Sequence, residues 1–308
     1  MPELPEVETV RRGLLPLVGG RITSAAVYRE RSVRHQVGGP EAFVGTLQDA
    51  VIDAVVRRGK FLWLPLQDQP EALVAHLGMS GQLLVTESSH PIQDDGFEPE
   101  PAGSHPHLRV RLGVELDAGE PVWVDFRDQR TFGYLTTDEL VPTPDNAPGG
   151  KGTDAPLVPN RVSHIGRDIL DPYLAISEIV ANLNKKQSEI KRLLLDQTLV
   201  AGIGNIYADE ALWRAEIHPL AKANTLSQLQ LETILLKAKE VITEALAKGG
   251  TSFDQLYVNV NGESGSFSDS LAVYGQEGEL CPKCGSEIQR ISFMNRSSHF
   301  CPNCQIAG

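Results

Sequence analysis

The sequence is short of several things that would simplify its reading. Of 308 residues only four are cysteine, and all four lie between positions 281 and 304. A disulfide framework spread over the fold is therefore excluded. No apolar run approaches the ~20 residues that a membrane-spanning helix needs. The opening Met1-Pro2-Glu3-Leu4-Pro5-Glu6 is acidic and is followed by no apolar stretch, so a secretory signal is not expected and a cytoplasmic location is. Aromatic residues make up only 6%. Basic charge is also in deficit: the net charge is −12, which by itself argues against a nucleic-acid partner.

The distribution of charge changes that reading. Residues 87–106 hold Glu87, Asp94, Asp95, Glu98 and Glu100 with no base, a net −5, and residues 138–160 carry a net −3. Both stretches read as loops. Residues 1–86 balance at nine acids and nine bases, and residues 281–308 carry Lys283, Arg290 and Arg296 against Glu287 alone. A nucleic-acid binder needs a local positive face, not a positive total.

What is present suggests two domains and a terminal module. At 308 residues the chain can bury a sizeable core. Val7, Val10 and Leu14 predict a helix over 4–14. Residues 22–86 read mainly as strands, with Phe61–Leu64 and Leu83–Val85 as short apolar runs, and strands resume at 108–112 and 122–126. Residues 88–106 are rich in Pro, Gly and Asp and read as a surface insertion. Residues 141–160 contain five prolines and three glycines, which predicts a linker and a domain boundary. Helical spacing follows over 175–196, 206–215 and, most strongly, 227–247, where Ser227 and Gln230 form a candidate capping box.

Four sets of residues carry chemistry. Cys281-Pro-Lys-Cys284 and Cys301-Pro-Asn-Cys304 have the spacing of a four-cysteine zinc ribbon. A closed set of four thiolates leaves no open position, so one structural zinc is expected; unligated buried thiols or a redox pair are the alternatives. The hairpin between the pairs offers Arg290, Arg296 and His299 for phosphate contacts. At the N-terminus, removal of Met1 would expose the secondary amine of Pro2. Such an amine can attack an aldehyde-like carbon, and Glu3 and Glu6 could move protons beside it; an ordinary helix start would also favour these residues. Val200–Tyr207 is a Gly-rich turn ahead of a helix beginning near Asn205, preceded by Lys185, Lys186, Lys191 and Arg192 on roughly one helix; it could hold a phosphate or simply be a packing corner. Finally, His76-Leu-Gly-Met79-Ser-Gly81 and Arg130-Thr-Phe132-Gly133 could fill the gap left when a base leaves the duplex stack, although Met79 and Phe132 also suit a core and Lys60 a solvated basic turn.

Together these segments resemble one family, the bifunctional formamidopyrimidine-DNA glycosylases. The resemblance rests on MPELPEVETVRRGL, RRGKFLW, HLGMSG, RTFG, LVAGIGNIYADEALW and CPKC…NRSSHFCPNC and runs from residue 2 to residue 304. It implies an α+β fold: an N-terminal β-sandwich with a flanking helix (1–140), the linker (141–160), a helix–two-turn–helix region (161–260), and a lid leading to the zinc ribbon (261–308). It also implies excision of oxidised purines through a Schiff base, followed by β,δ-elimination. The implied catalytic residues are Pro2 as nucleophile, Glu3 as acid/base, Lys60 for β-elimination, Glu6 as a supporting carboxylate and Arg296 for δ-elimination. Met79, Arg130 and Phe132 would fill the emptied stack and touch the opposite strand, and His105, Lys186, Lys191 and Asn205 would contact DNA. The partner would be damaged duplex DNA, with a monomer as acting unit and a nucleoid-associated location. Two positions depart from the family pattern: Gly166-Arg167-Asp168-Ile169-Leu170 lacks two prolines, and Ser266 precedes Phe267 where an aromatic is frequent. An endonuclease VIII-like enzyme for oxidised pyrimidines is one alternative, but it usually opens Pro-Glu-Gly-Pro-Glu. A catalytically inactive zinc-ribbon DNA-binding protein is another, although Pro2, Glu3 and Lys60 are all present.

Overall fold

The computed structural model describes residues 2–87, 105–116, 121–250 and 267–306. Nearly all of the acidic stretch 88–106, and Ser266 of the lid, lie outside the described residues. The described chain divides into two compact units. Residue 2 and residues 6–164 form the first; residues 3–5, 165–250 and 267–306 form the second. Among the described residues no helix is long and apolar enough to cross a membrane.

Helix α1 (Leu4–Gly13) forms as the Val7–Val10–Leu14 spacing predicts, and from Glu6 onward it belongs to the first unit. That unit continues through β1 (Arg21–Val27), α2 (Gly39–Leu47), β2 (Val56–Arg58), β3 (Phe61–Pro65), β4 (Glu71–His76), β5 (Gly81–Glu87), β6 (Leu108–Glu115), β7 (Pro121–Asp128), β8 (Tyr134–Pro142) and β9 (Leu157–Pro159). These strands form two antiparallel sheets, ordered β1-β6-β7-β5 and β2-β3-β4-β8-β9. Side chains from both sheets share one core. Val110, Leu112 and Val114 of β6 recur at every second position, and Leu62, Leu64, Leu73 and Leu135 come from the other sheet. Period-2 burial is what a strand with one covered face requires, and the arrangement is the expected sandwich. Val7 and Val10 of α1, and Leu14 directly after it, join that core.

Two expectations for this half need correction. The strand-like reading of 22–86 misses α2, a nine-residue helix with Pro at its start whose Phe43 and Leu47 are buried. The Pro/Gly stretch 141–160 belongs to the sheet rather than linking domains. Within it β9 pairs with β8, and Lys151 exchanges backbone hydrogen bonds with Arg57 at 2.9 and 3.0 Å. A Cβ on Gly149 or Gly150 would overlap the carbonyl of Leu157 or Arg57, so these glycines serve close backbone approach. The first unit extends through His164.

A buried ion cluster ties α1 to the β2–β3 hairpin. Glu8 accepts from Arg11 Nε (2.9 Å) and Arg57 Nε (2.8 Å), and Arg57 Nη1 donates to Gly59 O at 3.1 Å. Burial raises the Glu8 pKa, but the Arg11 hydrogen bond and the charge of Arg57 outweigh it and hold the carboxyl below its ordinary 4.5. A depressed carboxyl stabilises the fold above its unfolded pKa and loses that contribution in acid. Glu8→Gln is therefore expected to cost about 3–5 kcal/mol near neutrality, because the buried Arg11 and Arg57 guanidinium groups lose this anion. Thermal melts from pH 7 to pH 3 should show wild type and variant converging as Glu8 protonates; a constant gap would refute the linkage.

The second unit is helical. It contains α3 (Ile176–Leu183), α4 (Ile190–Leu194), α5 (Asn205–Arg214) and α6 (Gln228–Ala247), and ends in the hairpin β10 (Gln289–Phe293) and β11 (Arg296–Phe300). Ser227 and Gln230 form the expected capping box on α6. The apolar run 175–196 is not continuous: α3 ends at Leu183 and α4 starts at Ile190. Lys185 and Lys186 consequently lie in the intervening turn and not on a helix with Lys191 and Arg192. The departure at 167–170 is braced locally. Arg167 pairs with Asp171 at 2.7 Å, Asp168 Oδ1 accepts from Leu170 N at 3.0 Å, and Asp168 bridges Ala201.

Candidate functional site

In the first unit, Pro2 and Glu6 are buried, and Lys60 sits in the two-residue turn between β2 and β3, where Arg58 faces Phe61. His76, which the sequence marks only as the first residue of the His76–Gly81 segment, lies at the end of β4. Burial first, then the charges of Lys60 and Arg34, push its pKa down to about 4. Its Nδ1 accepts from Gly78 N at 3.2 Å, so the ring is neutral at physiological pH with the Nε2 proton free to donate.

The structure brings Met79, Arg130 and Phe132 together. Met79 is 37% exposed and Phe132 48%, so neither is a core residue, and Arg130 Nη1 reaches Met79 Sδ at 4.0 Å. Their loops are rigidly braced. Asp128, fully buried, accepts from Ser80 Oγ (2.6 Å), Arg130 N (3.1 Å) and Gly133 N (2.7 Å). Arg34 caps the Phe132 and Gly133 carbonyls at 2.8 and 2.7 Å. The result is a preorganised apolar projection beside a guanidinium. His105 is exposed in the same unit, with its Nδ1 accepting from His107 N at 3.2 Å.

In the second unit, Glu3 is 2% exposed, and its Oε1 accepts from Ile206 N at 3.2 Å. That amide belongs to the first turn of α5, where unpaired N–H groups and the helix dipole favour an anion. A Cβ on Gly204 would overlap the Glu3 carboxylate, which explains a glycine at that position. Asn205 Nδ2 donates to Ser297 O at 3.0 Å. Arg296 is exposed on β11, next to a two-residue turn, Met294-Asn295, whose residues both have positive φ. Lys186 lines an open cleft of about 510 Å³ with Arg192, Ser188, Asp196 and Met294.

Lys191 does not lie where a direct DNA contact would require. Its side chain is fully buried and pairs with Asp209 at 2.6 Å, and its ammonium also donates to Ser297 O at 3.1 Å. Tyr274, absent from the sequence reading, packs its ring 5.0 Å from His299. Its amide, with those of Ala272 and Val273, donates to the buried carboxylate of Glu210. No local motif marks Tyr274; only the fold places it beside His299.

The four cysteine sulfurs lie within 4.8 Å of one another, at 3.9 Å for Cys281–Cys304 and 3.4 Å for Cys284–Cys301. Tetrahedral zinc thiolate sites place sulfurs about 3.8 Å apart, so the set fits a metal. Cys304 N and Trp213 Nε1 each donate to a sulfur at 3.4 Å, on Cys301 and Cys281, as hydrogen-bonded thiolate ligands require.

Residues 1–135 match the family described as the formamidopyrimidine-DNA glycosylase N-terminal domain. Residues 165–256 match its H2TH domain, and residues 278–306 a zinc finger found in Fpg and isoleucyl-tRNA synthetase. A formamidopyrimidine-DNA glycosylase of Corynebacterium glutamicum is 51% identical over 99% of both chains. The chain belongs to the formamidopyrimidine-DNA glycosylase family. A family member from Leifsonia xyli is 50% identical over 99% of both chains. Lactococcus lactis Fpg, solved in complex with abasic site containing DNA, superimposes with a TM-score of 0.78 at 30% identity, covering 99% of this chain and 100% of that one. As a member of this glycosylase family, the protein is a base-excision repair enzyme acting on oxidised purines, and lyase activity at abasic sites is typical of the family.

Proposed function

We propose that the protein removes 8-oxoguanine and formamidopyrimidines from duplex DNA by covalent catalysis at Pro2 and then nicks the strand by β,δ-elimination. The observation that carries this reading is the buried Glu3 carboxylate held at the start of α5, directly after the residue whose amine becomes free when Met1 is removed. The unprotonated amine of Pro2 forms a bond to C1′ as the N-glycosidic bond breaks and its electrons leave with the base. Glu3 moves the protons needed for ring opening and base departure, with Glu6 as a supporting carboxylate. Loss of a C2′ proton expels the 3′ phosphate, assisted by Lys60. Loss of a C4′ proton then breaks the C5′–O bond, and Arg296 stabilises the charge on the departing phosphate.

Met79, Arg130 and Phe132 occupy the gap left by the extruded nucleotide. His105, Lys186 and Asn205 contact DNA, with phosphates as the main targets. Lys191 acts from beneath the surface. The metal is one zinc ion held by Cys281, Cys284, Cys301 and Cys304. It supplies folding energy and no chemistry at the lesion, because all four positions are taken by protein. One chain is the acting unit, working on the nucleoid in the cytoplasm.

Borohydride trapping on a duplex with one 8-oxoguanine opposite cytosine tests the reading. An adduct mapping to Pro2 by intact mass and peptide sequencing is expected; an adduct on Lys60 instead would overturn it. Gly204→Ala is expected to lower base excision about 10- to 100-fold, roughly 1.4–2.7 kcal/mol, by displacing Glu3. Trapping on a preformed abasic site should suffer far less. Equal losses on both substrates would remove Glu3 from the excision step.

A further inference from the structure

Asp209, on α5, is fully buried and collects donors from two other elements. Lys191 Nζ of α4 reaches its Oδ1 at 2.6 Å and Ser298 Oγ at 2.9 Å, while the His299 amide donates to Oδ2 at 2.9 Å. His299 Nδ1 stands 3.5 Å from the same oxygen. Lys191 completes the arrangement by donating to Ser297 O, a carbonyl that also accepts from Asn205 Nδ2, and by lying 5.3 Å over the Phe293 ring. Every one of these hairpin contacts flanks Arg296. Phe293 is its cross-strand partner, and Ser297, Ser298 and His299 follow it directly.

We propose that Asp209 is a positioning residue for Arg296: through Lys191, Ser298 and the His299 amide it fixes β11 so that the exposed guanidinium is presented in one orientation to the departing phosphate. The chemistry requires an anion. A carboxylate can accept an ammonium, a hydroxyl and a backbone amide together, whereas an amide in its place must turn an N–H toward one of those donors. The two-residue turn preceding Arg296 has left-handed non-glycine residues, Met294 and Asn295, a conformation that persists only where its surroundings hold it. The inference rests on the assignment of Arg296 to δ-elimination.

The test is the ratio of δ- to β-elimination products on an abasic-site duplex, for wild type, Arg296→Ala, Asp209→Asn and Ser298→Ala, with zinc content and circular dichroism measured in parallel. The ratio is read under single turnover, at saturating enzyme and matched total incision, so that weaker binding or a smaller folded fraction does not by itself shift it. Asp209→Asn is expected to keep its zinc and its trapped adduct and to lower the ratio at least tenfold, in the direction of Arg296→Ala. Ser298→Ala removes a single bond from the cluster and should shift the ratio about threefold in the same direction, which keeps the test available if Asp209→Asn fails to fold. A wild-type ratio in Asp209→Asn or, failing its folding, in Ser298→Ala, beside a shifted Arg296→Ala, would overturn the role of Asp209 alone. An unshifted Arg296→Ala would remove the assignment of Arg296, and the inference with it.

Discussion

Pro2→Gly is expected to lower borohydride-trappable adduct formation by about 100-fold or more, equivalent to roughly 2.7 kcal/mol of barrier, while duplex binding is largely retained. The reason lies in the amine. A secondary amine condenses with C1′ to an iminium that has no N–H to lose, so it stays cationic and draws electrons through both eliminations. Glycine supplies a primary amine, whose imine deprotonates and loses most of that pull. It also releases the ring constraint at a buried position, so the nucleophile is held less well in line. Single-turnover trapping on an 8-oxoguanine duplex, beside a binding titration on an uncleavable abasic analogue, separates the two effects. Normal trapping in Pro2→Gly would sink the assignment of the nucleophile.

Cys301→Ala is expected to abolish stoichiometric zinc and to weaken damaged-duplex binding at least tenfold, about 1.4 kcal/mol. Within itself the ribbon has little besides the metal to close its two cysteine turns. Its two strands have five residues each, and an isolated two-stranded hairpin is marginal in water. Its own apolar cluster comprises Trp213, Val273, Ile288 and two of the cysteines themselves. Structural zinc sites contribute an apparent ~10–16 kcal/mol to folding of comparable modules. Elemental analysis and a fluorescence-anisotropy titration should therefore show metal and affinity falling together. A variant that lacks zinc yet binds at wild-type strength would mean that the ribbon does not grip the DNA.

Helix α1 and the capping-box helix α6 were legible because their signals are local. Val7, Val10 and Leu14 recur on one face, and Ser227 and Gln230 satisfy each other across a single turn. The cysteine pairs were legible for the same reason. Helix α2 was hidden because only Phe43 and Leu47 are buried in its nine residues, too few to establish a period. The 141–160 segment misled because proline and glycine mark both flexible linkers and places where backbones nearly touch. Composition does not distinguish the two. The residue types of the proposed wedge could be named from the sequence, but Met79 and Arg130 stand 51 positions apart, and only the two sheets with the Asp128 brace bring them together.

The sequence by itself determined which reactive residue types the chain carries: a proline after Met1, a carboxylate beside it, four thiols at metal spacing, and the lysine and arginine turns. Tertiary structure decided which of those charges meet solvent. Lys191 and Arg192 are neighbours in one short helix, yet the Lys191 side chain is fully buried while that of Arg192 is 48% exposed. Burial of an ammonium is tolerable only where an anion waits for it. Its anion, Asp209, is supplied by a different helix, at a separation that no local periodicity encodes.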